Sequence, residues 1–271
     1  MLGAAEIREL AGKLEIRPTK KLGQNFVIDP NTIHRIVTAS QISAEDTVVE
    51  IGPGLGSLTL GLLETANQVV AVEVDPKLAA ELPATVARHL PEKKLELVLA
   101  DALQIKSLPL NPTALVANLP YNISVPVLLH FLASFPSIKK GVVMVQAEVA
   151  HRLAAQPGGK EYGSPSLKLA WYGPARLAGN VGRNVFWPAP NVDSALVYFE
   201  TGAERTADRK EVFAVIDAAF AQRRKTLRQA LSGWAGSVTK SEEILVRAGI
   251  DPRTRGEELR IDQFIAIAEA K

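Results

Sequence analysis

An exocyclic amine offers two hydrogens, and residues 114–121 can present two acceptors to it. Ala114-Leu115-Val116-Ala117 reads as a buried strand that ends in Asn118-Leu119-Pro120-Tyr121. Pro120 removes a backbone donor and biases Leu119 away from helical geometry, so the chain leaves the strand extended. That geometry can leave the Leu119 carbonyl unpaired beside the Asn118 side-chain oxygen. Tyr121 adds a flat face on which a base can stack. A strand followed by an ordinary proline turn has the same pattern, so the corner gains meaning only from its surroundings.

Three further polar groups fall at strand ends. Thr47-Val48-Val49-Glu50-Ile51 reads as a strand leading into Gly52-Pro53-Gly54-Leu55-Gly56 and a helix opening at Ser57. Glycines there permit close backbone approach, and the N–H groups at the helix start face a ligand. The spacing is G-x-G-x-G, with Ser57 where a dinucleotide fingerprint needs its third small residue, which counts against a pyrophosphate cofactor. Glu73 lies 21 residues after Gly52, at the end of a strand beginning at Gln68, where an acid meets ribose hydroxyls. A strand-end carboxylate is also an ordinary solvated residue. Asp101 follows a third strand, Leu95–Leu99.

Positioning these groups together requires a particular fold. Strands alternating with helices, with a fifth strand at 141–146, predict an α/β, Rossmann-like, mostly parallel sheet with helices on both faces. Ligands bind beyond the carboxyl ends of such strands, the edge that Gly52, Glu73, Asp101 and Asn118 share. Ahead of the sheet, an amphipathic helix is expected over 4–15 and a second from about 30 to 39, started by Asp29-Pro30. The basic, non-periodic segment from Arg17 to Val27 joins them. Residues 156–166 read as a flexible loop, followed by strands around 168–172 and 194–199.

Past a polar linker at 201–208 the pattern turns helical. Residues 1–200 are therefore read as a catalytic domain with an N-terminal extension, and 201–271 as a small all-α domain. A single helix from 210 to 231 would put Phe213, Ile216, Phe220, Leu227 and Leu231 on one stripe. On that wheel Arg223 and Arg224 flank or enter the stripe, with Arg224 expected to pair with an acid or snorkel. Lys225 and Arg228 lie better placed to meet phosphates.

Composition narrows the classes. The 271 residues contain no cysteine, which excludes disulfides, thiolate zinc sites and cysteine nucleophiles. No apolar run approaches membrane-spanning length. Glu6, Glu9 and Glu15 make the start unlike a signal or transit peptide, so a cytoplasmic protein without membrane association is expected. The net charge of +2 is unevenly divided: residues 41–150 carry seven basic and eleven acidic side chains, whereas 151–199 carry five and two. Nucleic-acid proteins show such asymmetry, as do many others.

Taken in order, the motifs resemble the ribosomal RNA adenine dimethyltransferase family, in its bacterial small-subunit branch, over nearly the whole chain. Gly23-Gln24-Asn25-Phe26 is similar to its N-terminal cofactor motif, Glu50 to Gly56 to its glycine loop, and Asn118-Leu119-Pro120-Tyr121 to its catalytic motif. Phe186-x-Pro-x-Pro with Val192-Asp193-Ser194 is similar to its substrate-side motif. Phe220-x-Gln222-Arg223-Arg224-Lys225-x-Leu227-Arg228 resembles its C-terminal signature. Asn191 stands where relatives often carry a basic residue, and Ala189 interrupts the usual proline run.

The resemblance implies S-adenosylmethionine as methyl donor and two adjacent adenosines of small-subunit (16S) rRNA as substrate, methylated on N6. It implies no metal and a monomer, with a role in small-subunit biogenesis. Asn25 and Val27 would close over the cofactor, with Gly52 and Gly54 approaching it through backbone. Glu73 would hold the ribose, Asp101 the adenine amine, and Asn118 would stand between cofactor and substrate. Asn118, Leu119, Pro120 and Tyr121 would form the catalytic corner, with Tyr121 and Phe186 sandwiching an extruded base. Arg223, Lys225 and Arg228 would bind RNA. The rivals are a nicotinamide oxidoreductase, a large-subunit rRNA methyltransferase sharing the core motifs, and a non-catalytic RNA-binding assembly factor.

Overall fold

The computed structural model describes residues 1–16 and 25–271. Gly23 and Gln24, expected in a cofactor motif, lie outside the described residues. In chain order the strands are β1 (Phe26–Val27), β2 (Thr47–Ile51), β3 (Gln68–Glu73), β4 (Leu95–Leu99) and β5 (Ala114–Asn118). They continue as β6 (Lys140–Gln146), β7 (Ala175–Val181), β8 (Phe186–Trp187) and β9 (Ser194–Glu200). The main sheet runs β4-β3-β2-β5-β6-β9-β7. Strands β4, β3, β2, β5 and β6 are parallel, and β9 returns antiparallel to β6. The expected α/β architecture is therefore present. Strand order reverses between β2 and β5, so the crevice beyond their carboxyl ends opens at the ends of Ile51 and Asn118.

The strands are apolar because they are covered. Val48, Val49, Val69, Val70, Ala114 and Val116 have no solvent exposure. Gly141 in β6 lets two strands and a ring come close, since a Cβ there would lie 2.1 Å from the Leu115 carbonyl oxygen and 2.7 Å from the Phe199 ring. The helix Pro30–Ser40 starts as its sequence predicts: the Asp29 carboxylate accepts from Thr32 N–H at 2.9 Å, and Pro30 fills the first turn.

The chain divides into two compact units, Met1–Ala150 with Arg176–Thr201, and His151–Ala175 with Gly202–Lys271. The second unit is larger than the expected 201–271 because 151–175 belong to it. The reason is apolar: Tyr162, Leu167 and Trp171 are buried in the same core as Val212, Ile216 and Phe264. The strand expected at 168–172 is instead part of a helix, Ser164–Ala170, and the next strand begins at Ala175. Pro165 suits a first helical turn, the Ser166 hydroxyl accepts from Gly163 N–H at 3.0 Å, and Leu167 and Trp171 fall one helical turn apart on the buried side.

The single helix expected from 210 to 231 is also broken. It runs Arg209–Ala221, and a separate short helix spans Leu227–Ala230. Between them the N–H groups of Leu227 and Arg228 donate to the carbonyls of Thr254 (2.8 Å) and Pro252 (3.1 Å) rather than to the preceding turn. The buried face of the longer helix is Val212, Val215, Ile216 and Ala219, with Phe213 and Phe220 at its flanks. No helix among the described residues is long and apolar enough to cross a membrane.

Candidate active site

At the carboxyl edge of the sheet one cavity is lined by Asn25, Val27, Gly52, Gly54, Glu73, Asp101, Asn118 and Pro120, among others. All seven residues expected to hold a cofactor thus face one space. The glycine loop gets there by backbone conformations that side chains avoid: φ is +68° at Gly52, +59° at Gly54 and +98° at Gly56. A Cβ on Gly54 would approach the Phe26 ring to 2.9 Å, and one on Gly56 would meet Leu82 at 2.8 Å. At Gly52 the space a Cβ would take is open, so a ligand can lie against bare backbone.

Glu73 ends β3 with its carboxylate turned into this cavity and only 5% exposed. Its oxygens accept from three backbone N–H groups, Gly54 at 3.2 Å and Val74 and Asp75 each at 2.9 Å. Burial raises its pKa, and the three donors oppose that rise. A carboxylate has about four lone-pair sites, so acceptor capacity remains for a ligand hydroxyl. Asp101 follows β4, the strand paired with β3, and one of its oxygens accepts from Leu103 N–H at 2.9 Å to fix the turn there.

Asn118 is oriented by its own amide. Its Nδ2 donates to the Asn25 carbonyl at 3.0 Å, which turns Oδ1 to the other side and ties β5 to the segment entering β1. Leu119 N–H donates to the Met144 carbonyl at 3.0 Å, while the Leu119 carbonyl accepts no hydrogen bond from the described residues. Neither Asn118 Oδ1 nor the Leu119 carbonyl has a hydrogen-bond partner among the described residues. Tyr121 does not line the cavity. Its hydroxyl lies 2.6 Å from the Ser194 hydroxyl, and burial raises its pKa.

Phe186 corrects an expectation. It pairs with Val27 in the small β1–β8 ladder and is 3% exposed within the hydrophobic core. Its ring offers no open face on which a base can stack. Arg223, Lys225 and Arg228 lie in the helical unit. Arg223 Nε binds Glu257 at 2.7 Å and Arg228 lies 3.4 Å from Glu242, while Lys225 and Arg224 are exposed. Arg224 was expected to pack or pair, and its exposure follows from the helix ending at Ala221.

One participant escaped the sequence reading as an individual. Glu50, inside β2, is 1% exposed, lines the cavity, and its Oε2 has no hydrogen-bond partner. Burial above all, with the nearby negative charge of Glu73 adding to it, pushes its pKa up to about 8. The signal was available: an acid within an apolar strand is the anomaly to explain. The Ser57 hydroxyl, on the same cavity wall, is likewise buried without a partner. Unpaired polar atoms at the floor of a cavity fit a polar ligand. No cluster of His, Cys, Asp and Glu among the described residues could hold a metal ion.

Comparison with known proteins agrees with this geometry. The family model for ribosomal RNA adenine dimethylase matches residues 16–271. Proteins described as ribosomal RNA small subunit methyltransferase A are 61% identical in both Paenarthrobacter aurescens and Streptomyces griseus. The matches cover all of this chain and 94% and 95% of those proteins. Among solved structures, a dimethyladenosine transferase from Plasmodium falciparum shares the fold, with a TM-score of 0.76 and 24% identity over 88% of this chain and 94% of that one. The 23S rRNA methyltransferase ErmE gives a TM-score of 0.66 and 27% identity over 91% and 99%. This chain belongs to the ribosomal RNA adenine dimethylase family.

Proposed function

We propose that this protein transfers methyl groups from S-adenosylmethionine to N6 of two adjacent adenosines in small-subunit rRNA, giving N6,N6-dimethyladenosine. The observation that carries it is the corner formed by the Asn118 side chain and the Leu119 carbonyl at the edge of the Glu73 cavity. Identity near 60% to small-subunit enzymes, against 27% to a large-subunit enzyme, favours the small subunit. A substrate in ribosome assembly fits a cytoplasmic protein.

Bound in the cavity, S-adenosylmethionine supplies an activated methyl group on a sulfonium. The rest falls to the chain. Glu73 holds the ribose hydroxyls with a charge-assisted bond, Asp101 takes the adenine amine, and Gly52 admits the ligand against its backbone. Asn25 and Val27 stand on the near wall, Asn25 also fixing Asn118.

The amine of an adenine base is a poor nucleophile because its lone pair is delocalised into the ring. Asn118 Oδ1 and Leu119 O accept its two hydrogens and favour a pyramidal nitrogen whose lone pair points at the methyl group. Positioning and electrostatics then supply the catalysis. Pro120 keeps the corner extended, and Tyr121, held by Ser194, offers its ring to the base. Arg223, Lys225 and Arg228 serve RNA contact from the helical unit. The reading is tested by transfer of labelled methyl from the cofactor to unmethylated small subunits, with large subunits as control. Label in the small-subunit rRNA alone is expected. Equal or greater label in large subunits would favour the large-subunit alternative.

A further inference from the structure

We propose that a second cavity, lined by Gln146, Asn191, Arg183 and Asp193, holds the base of the nucleotide beside the one in the Asn118 corner, and that this base is the second adenine. The inference rests on the function proposed above, in which two adjacent adenosines are methylated.

The cavity is about 510 Å³ and lies between the end of β6 and the turn entering β9. It shares no lining residue with the cofactor cavity, but Gln146 lies on β6, the strand paired with the β5 that carries Asn118. Asn118 is in register with Met144 on β6, and Gln146 lies two residues farther along that strand. Two strand residues span about 7 Å, about two stacking steps of 3.4 Å, a distance that a neighbouring nucleotide covers once it is unstacked from the base in the corner. Gln146 is in turn opposite Ser194 of β9, whose hydroxyl meets Tyr121. A strand of RNA with one base in the corner therefore has its neighbour within reach of Gln146.

The walls are fixed before any ligand arrives. Asp193 accepts Arg183 N–H on its carboxylate at 3.1 Å and Ala147 N–H on its backbone carbonyl at 2.9 Å. One residue thus ties the Arg183–Val185 turn to the start of the helix at Ala147. The Gln146 and Asn191 side-chain amides make no hydrogen bond with the described residues. A side-chain amide pairs with adenine N6 and N7 through two bonds at once. Charge points the same way. The lining holds one cation, Arg183, and two acids, Glu148 and Asp193. That repels a phosphate but accommodates a base whose exocyclic amine donates to a carboxylate. Val192, 45% exposed, supplies an apolar lip for the ring.

The test uses unmethylated small subunits in which either adenosine of the pair is replaced by guanosine. With wild-type protein, kcat/KM for the remaining adenosine should fall about tenfold or more in at least one of the two substrates, the scale of one two-bond base contact. The Gln146→Ala, Asn191→Ala double variant should methylate the doubly adenosine-bearing and that guanosine-bearing substrate at the same reduced rate, with cofactor affinity unchanged by calorimetry. A wild-type enzyme indifferent to the neighbour, or a double variant that retains the full discrimination, would overturn the proposal. No transfer by wild-type protein even to subunits with both adenosines would overturn the function itself, and the proposal with it.

Discussion

Two glutamates on neighbouring strands line the cavity at the carboxyl edge of the sheet, and their hydrogen-bond partners separate their behaviour. Glu73 accepts three backbone N–H groups, whereas Glu50 Oε2 accepts none. On the function proposed, removing the Glu73 carboxylate removes a charge-assisted bond to the ribose, a class of interaction worth about 1.5–3 kcal/mol. Glu73→Ala should therefore weaken cofactor binding by roughly tenfold to a hundredfold, read by calorimetric titration; wild-type affinity would remove Glu73 from the ribose. Glu50 carries a pH signature. Its pKa rises from 4.5 to about 8 on folding, so between those values the folded protein holds a proton that the unfolded chain has lost. Stability from this group must fall as pH rises from about 4.5 to about 8, and level off above. Glu50→Gln keeps the shape without the titration, so its thermal midpoint should decline less over that range than wild type. Equal slopes would contradict the assignment.

At the scale of elements, the break after Ala221 decides which cations are available. Arg223 is engaged by Glu257, and the Arg228–Glu242 pair is about half exposed on both sides, a geometry that contributes little to stability. Lys225→Ala with Arg228→Ala should weaken small-subunit binding and flatten its salt dependence by about two phosphate contacts, roughly 0.7–0.9 in slope for each. Cofactor affinity should not change. An unaltered slope would show that neither residue meets RNA. Arg224, exposed beyond the end of the helix, should tolerate alanine with a stability change within about 0.5 kcal/mol, not the larger loss that a continuous helix would imply.

For the molecule as a whole, what could be read from sequence was whatever local periodicity and strand-end chemistry dictate. The five parallel strands, the Asp29 cap and the convergence of Gly52, Glu73, Asp101 and Asn118 all follow from apolar runs closed by polar residues. Long-range choices were hidden. The segment 151–175 joins the helical unit because Leu167 and Trp171 find apolar partners far along the chain. The helix breaks near 222 because carbonyls of Pro252 and Thr254 take its amides. Phe186 lost its stacking face to the core for the same reason: tertiary packing outranks a motif's local pattern. In the function proposed, sheet edge, cavity and corner meet in one reaction at Asn118. It is tested most directly by the single-turnover rate of N6,N6-dimethyladenosine formation in small-subunit rRNA, for wild type and Asn118→Ala, both saturated with cofactor. The variant's rate should be lower by roughly 10²–10³, the scale for removing one preorganised transition-state contact. An undiminished rate at equal cofactor occupancy would contradict it.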